Sequence, residues 1–203
     1  FLGPNGAGKS TTIDILLDLS RPTDGNVSVL GHDPLTESAT VRARTGVLSE
    51  GYGLYDRLTA RKHLSLAIDL EDGDDDPEEL LARVGLADAA DRPAGEFSKG
   101  MGQRLALAMA LVGDPDLLIL DEPSAGLDPN GIRTLREIIR EEAARGAAVF
   151  FSSHVLEQVE AVCDRVGIMN EGRLVAVDTV DGLRGAVGAG STLLLEVDEV
   201  PDD

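Results

Sequence analysis

Apolar residues fall into short unbroken runs in some parts of the chain and into helical spacing in others. Leu117-Leu118-Ile119-Leu120 is unbroken, and so short a run predicts a strand covered on both faces of a parallel sheet. Phe1-Leu2 reads as the end of a similar strand, and Gly46-Val47-Leu48 and residues 147–151 as two more. Ile132, Leu135, Ile138 and Ile139 recur instead at the spacing of one helix face, which predicts an amphipathic helix over 132–145. Helices are also predicted over 9–19, around Leu64 to Leu70, and over 78–84, 99–112 and 155–163. Residues 26–30 alternate polar and apolar and predict a strand. Residues 166–169 and 174–177 flank Asn170-Glu171-Gly172-Arg173, a hairpin signal. Strands and helices alternate at both ends, with a helical stretch at about 59–112 between them. The expected fold class is α/β, with a largely parallel, mixed sheet flanked by helices. The expected organisation is one domain over 1–203, carrying a helical subdomain at about 59–112.

Composition narrows the partners. The chain carries 37 acidic and 18 basic residues, a net charge of -19. That balance excludes a basic footprint for nucleic acid and direct adsorption to anionic lipid. It also sets the expectation of a surface suited to very salty cytoplasm, where screening removes self-repulsion. Cys163 is the single cysteine, so no internal disulfide can form. The most apolar stretch, 105–112, is far shorter than the roughly 20 residues that span a bilayer. A role at a membrane would therefore need another chain or segment. Phe1-Leu2 and Ser191-Thr192-Leu193-Leu194-Leu195-Glu196-Val197 both read as strands cut short, so the sequence is expected to be a piece of a longer chain.

The candidate chemistry begins at the first residues. Gly3-Pro4-Asn5-Gly6-Ala7-Gly8-Lys9-Ser10, followed by Thr11, fits G-x-x-x-x-G-K-[ST] in full, with a strand before it and a helix after it. Glycines let backbone N–H groups converge on phosphate oxygens, and the positive end of the helix dipole adds to the attraction. Lys9 is placed to reach β- and γ-phosphates, and the Ser10 hydroxyl to ligate Mg²⁺. A second element, Asp121-Glu122, follows the apolar run 117–120. An acidic pair there is more often a cap or loop when it stands alone. Beside a complete phosphate loop, Asp121 is expected to hold Mg²⁺ and Glu122 to act as general base toward water.

Three further segments carry a family resemblance: Phe97-Ser98-Lys99-Gly100-Met101, Ser124-Ala125-Gly126-Leu127-Asp128, and His154 after the strand at 147–151. In order and spacing, together with the two elements above, they resemble the ATP-binding subunits of ABC transporters over nearly the whole chain. The resemblance implies a P-loop NTPase core, ATP and Mg²⁺ as ligands, and two domains paired head to tail as a homodimer. Ser98 and Gly100 would then contact the γ-phosphate bound by the other copy, though Ser98 also suits a helix N-cap. His154 would contact the γ-phosphate, and Asp128 would sit at the dimer contact. Glu50 stands where the family usually has a glutamine near the metal; a carboxylate can still be a ligand. Lys99 and Met101 depart from the common L-S-G-G-Q signature. The resulting S-K-G-M form resembles the branch serving drug, sodium or copper-processing exporters. The family's adenine-stacking aromatic precedes the loop and so falls outside this sequence.

The same resemblance implies a separate membrane permease as partner, a cytoplasmic location on the inner membrane face through that permease, and no nucleic-acid partner. Tyr52 and Tyr55 lie in the loop that touches the permease in this family; equally, they could pack locally. Two other classes compete. A soluble ABC-family ATPase of translation or DNA repair would usually show tandem domains or long coiled-coil insertions. A regulatory module without turnover is disfavoured by the intact set Lys9, Asp121, Glu122 and His154.

Overall fold

The computed structural model describes residues 1–183. The segment 191–197, expected to begin a strand, lies outside the described residues. The central parallel sheet has the order β1 (Thr45–Leu48), β2 (Leu117–Asp121), β3 (Ala148–Ser152). An antiparallel hairpin, β4 (Arg165–Asn170) and β5 (Arg173–Thr179), stands beside it. Leu2 bridges the two, pairing in parallel with Ser153 on one side and Ile168 on the other. Its N–H donates to Gly167 O at 2.8 Å and its carbonyl accepts from Met169 N at 2.8 Å. Phe1-Leu2 thus behaves as the strand end that its apolar character predicted.

Strand β2 shows why the sheet needs two covers. Leu118 and Leu120 point into one large cluster with Leu135, Ile138 and Ile139 of α6 (Pro129–Arg145). Ile119 points the other way, against Ile13 of α1 (Lys9–Leu16) and Leu17 just beyond it. All three β2 residues are fully buried, as period-2 alternation within a doubly covered strand requires.

Residues 59–110 supply the helical layer α3 (Ala60–Leu70), α4 (Pro77–Arg83) and α5 (Lys99–Ala110). Each start is capped locally. Thr59 accepts from Lys62 N, Asp76 from Glu78 N with Pro77 next, and Ser98 from Met101 N. These caps satisfy amides that the helix itself leaves open. Leu64, Ile68, Leu81, Val84 and Leu105 join the main cluster, so no gap separates this layer from the sheet. Gly46 of β1 meets α5 at backbone range: a Cβ there would lie within van der Waals overlap of Ala110 O.

An ion network ties the helical layer to α6. Glu142 is buried and accepts from Arg83 Nη2 of α4 at 2.8 Å and from Arg145 Nη2 at 2.7 Å. Burial pushes the Glu142 carboxyl up, but the hydrogen bonds from Arg83 and Arg145 outweigh it and hold the group below its ordinary value of 4.5. A depressed folded pKa means stability that is present above the unfolded pKa and lost as pH falls through the folded one. Glu142→Gln is therefore expected to cost about 1.5–3 kcal/mol at neutral pH. In urea unfolding, the gap from wild type should close as the pH drops below 4.5.

Three expectations needed correction. Residues 26–30 form no ladder, because Leu30 (φ 51°) and Gly31 (φ 84°) turn the chain back. Val29 then exchanges two hydrogen bonds with His32, at 2.8 and 2.9 Å, and among the described residues it pairs with nothing further away. The helix expected over 9–19 ends at Leu16, where Asp18 takes φ 56°. The helix expected over 155–163 is only α7 (Leu156–Glu160), and a short helix α2 (Ser38–Arg42) had no clear periodic signal. Among the described residues, no helix is long and apolar enough to cross a membrane.

Candidate nucleotide-binding site

The loop from Gly3 to Gly8 leaves the sheet at Leu2 and enters α1 at Lys9. Gly6 and Gly8 hold φ of 79° and 101°, a region open to glycine without steric cost. Gly3 is demanded by a neighbour: a Cβ there would lie 2.4 Å from Met169 O of β4. The hairpin also holds the loop from the other side, where Gly172 N donates to Ala7 O at 2.9 Å. Pro4, Asn5 and Gly6 form an exposed crest, and Ser10 and Thr11 face solvent at the first turn of α1.

Lys9 is buried, and its Nζ donates to Gly3 O at 2.8 Å and Pro4 O at 3.3 Å. It lies 3.4 Å from Glu122 Oε1, an ion pair of low exposure. That oxygen has no hydrogen-bond partner; Lys9 meets it as a charge rather than along a bond. Glu122 Oε2 lies 2.9 Å from Nδ1 of the exposed His154. Glu122 itself has φ 47°, uncommon for a side chain of its kind. This turn carries the carboxylate off the line of β2 and toward Lys9 and His154.

Asp121 ends β2 and is buried. Its Oδ2 accepts from Ser10 Oγ at 2.8 Å, and its Oδ1 accepts a short hydrogen bond from Ser152 Oγ. Sequence reasoning missed Ser152, as it missed Gln103. The buried Gln103 of α5 donates from Nε2 to Pro123 O at 3.1 Å and so props the segment after Glu122. A serine in a strand and a glutamine in a helix carry no periodic signal; only a partner far along the chain marks them.

Asn5, Gly6, Gly8, Lys9, Ser10, Thr11, Glu50 and Glu122 line one cavity of about 440 Å³. Ser10, Glu50 and Asp121 also line its neighbour, of about 340 Å³. Backbone N–H groups, a lysine and the start of α1 can receive a polyphosphate there. Ser10, Asp121 and Glu50 offer oxygen donors alone, which is the set Mg²⁺ takes. No group of three or more His, Cys, Asp or Glu able to hold a metal is found among the described residues. A larger cavity of about 580 Å³ lies elsewhere, lined mainly by apolar side chains such as Phe1, Val149 and Phe151. Burial pushes its one thiol, Cys163, up and away from nucleophilic use.

Ser98, Gly100 and Asp128 do not line the loop cavity. Ser98 is exposed and caps α5, and Asp128 caps α6 by accepting from Gly131 N at 2.7 Å. Gly100 packs on the second segment, since a Cβ there would be 2.7 Å from Gly126 O. Tyr52 is half-buried and donates to Lys99 O at 3.3 Å, while Tyr55 is 64% exposed and stacks on His63. Both tyrosines thus have a local contact, and Tyr55 leaves most of its ring open to solvent.

A parallel sheet with a glycine loop, a buried lysine and a strand-end carboxylate pair defines a P-loop nucleoside-triphosphate-binding protein. The family model described as ABC transporter matches residues 1–125. The chain belongs to the ABC transporter family. It is 41% identical over 185 residues to the fluoroquinolones export ATP-binding protein of Mycobacterium tuberculosis, covering 91% of this chain and 62% of that one. It is 42% identical over 190 residues to the bacitracin transport ATP-binding protein of Bacillus licheniformis, covering 91% and 61%. A solved ATP-binding subunit of an ABC transporter superposes with TM-score 0.83 at 35% identity, over 94% of this chain and 82% of that one. The chain spans about three fifths of the length of these two curated relatives.

Proposed function

We propose that this chain is the ATP-binding and ATP-hydrolysing subunit of an ABC transporter, driving a separate membrane permease of the exporter kind. The observation that carries the reading is Lys9 and Glu122 lining one loop cavity, with Asp121 joined to Ser10 of its wall and His154 joined to Glu122. The names of the relatives in fluoroquinolone export and bacitracin transport support the exporter assignment. The domain reads as one ATPase unit with its helical subdomain at about 59–112.

The loop from Gly3 to Thr11 binds the phosphates. A γ-phosphate draws Lys9 Nζ off the Gly3 and Pro4 carbonyls and away from Glu122 Oε1. That oxygen then becomes the acceptor for the proton of the attacking water. His154, bonded to the other carboxylate oxygen, orients Glu122 and reaches the γ-phosphate. Ser10, Asp121 and Glu50 would hold Mg²⁺, which neutralises charge between the β- and γ-phosphates. Ser98, which is exposed, and Gly100, which is half-buried, contact the ATP of a second copy, with Asp128 at the contact between copies. The exposure of Tyr55 supports a contact with the permease there, and a subunit held in that way lies on the cytoplasmic face of the membrane.

The test is to co-purify the full-length protein with candidate membrane permeases and measure ATPase activity with candidate cargoes. Cargo-stimulated hydrolysis is expected. A complex that forms but never hydrolyses ATP would reject the reading.

A further inference from the structure

We propose that Ser152 is a positioning residue whose single hydroxyl sets both Asp121 and Glu122. The inference rests on the ATPase reading above. Ser152 ends β3 directly across the parallel ladder from Asp121 and is fully buried. Its hydroxyl donates to Asp121 Oδ1. The same oxygen accepts from Glu122 N at 3.1 Å, and the Ser152 carbonyl lies 3.3 Å from that amide.

A hydroxyl has one proton and two lone pairs. With the proton committed to Asp121, only the acceptor side can face Glu122, so the two bonds fix each other's direction. The first leaves Asp121 Oδ2 turned toward Ser10, where the metal donors gather. The second holds the amide of a residue at φ 47°, a conformation that side chains other than glycine rarely take. That conformation is what aims the Glu122 carboxylate at Lys9 and His154. Alanine at 152 would leave Oδ1 of a buried carboxylate without its donor and Glu122 N with the carbonyl alone. The carboxylate could then rotate, and the turn at Glu122 could relax.

A serine that only filled space would give a different result. The comparison uses wild type, Glu122→Gln, Ser152→Ala and Ser152→Cys in the full-length protein. Three quantities are read: steady-state hydrolysis, the Mg²⁺ concentration that half-saturates the ATP-dependent rise in melting temperature, and amide exchange at Glu122 without nucleotide. For Ser152→Ala, kcat is expected to fall about 10–100-fold and the Mg²⁺ half-saturation point to rise about tenfold, the range seen when outer partners of metal ligands are lost. KM for ATP should move less than kcat, because the phosphate loop is untouched, and the Glu122 amide should exchange faster. Cysteine, close to serine in shape but a weak donor, should fall between; if alanine does not fold, cysteine against wild type decides. Values for Ser152→Ala within about twofold of wild type, or equal values for alanine and cysteine, overturn the proposal. If wild type is active, Glu122→Gln inactive and Ser152→Ala unchanged, the Ser152 role alone is rejected. If wild type hydrolyses no ATP, the ATPase reading fails instead.

Discussion

Glu122→Gln is expected to bind ATP at least as tightly as wild type while hydrolysis falls about 10²–10⁴-fold, the usual contribution of a general base. Gln keeps the shape of the side chain and can still contact His154, but it cannot take a proton from water. It also removes a negative charge 3.4 Å from Lys9, which would otherwise repel a γ-phosphate. ATP should therefore persist on the protein, and two copies should stay closed around it. Equilibrium binding of labelled ATP, a single-turnover assay and size-exclusion chromatography with ATP check the three parts. A variant that turns over at the wild-type rate would remove Glu122 from the base position.

Gly3→Ala should damage both stability and nucleotide binding. The new Cβ would sit 2.4 Å from Met169 O and 3.1 Å from the Ala7 Cβ. The first neighbour is backbone of a paired strand and cannot step aside as a flexible side chain would. Overpacking of this kind costs about 1–3 kcal/mol, or roughly 2–12 °C of melting temperature for a domain of this size. The loop must also shift relative to α1, so ATP affinity should fall by about tenfold or more, the equivalent of about 1.4 kcal/mol. Gly53→Ala is the control, since no atom lies within 4 Å of its added Cβ; it should stay within about 0.5 kcal/mol of wild type. Thermal melts with and without ATP separate the two losses.

What the sequence made legible depended on how far apart the partners lie. Ser98 and its α5 amide are three residues apart, so the cap could be read from local spacing. The apolar run 117–120 announced a strand because each face of it had to be covered. The phosphate loop could be read because its glycines, lysine and serine are consecutive. Residues 26–30 failed for the opposite reason. Their alternation describes a half-buried segment, and Val29 is indeed buried, but alternation does not name a partner strand. The left-handed pair Leu30-Gly31 turns the chain before a ladder can extend. Ser152, Gln103 and the Arg83 arm of the Glu142 network stayed invisible because their meaning lies in contacts 19 to 59 residues away. Glu50 joins the loop cavity, to which only the family resemblance had pointed, and among the described residues no side-chain hydrogen bond fixes it there. The assignment of Ser98 and Gly100 to a second copy came from resemblance, since neither composition nor periodicity describes a surface that another chain completes.

The two contacts by which the β4–β5 hairpin holds the phosphate loop have a consequence for biosynthesis. Met169 O limits Gly3, and Gly172 N binds Ala7 O. The loop leaves the ribosome before the hairpin, and the residues that mould it are translated some 165 positions later. At about 5–20 residues per second, roughly 8–33 s pass between the two events. During that interval a nascent chain carries a glycine-rich segment with its lysine but not its finished shape. Full affinity for ATP is therefore expected only after the hairpin has emerged and closed on the loop.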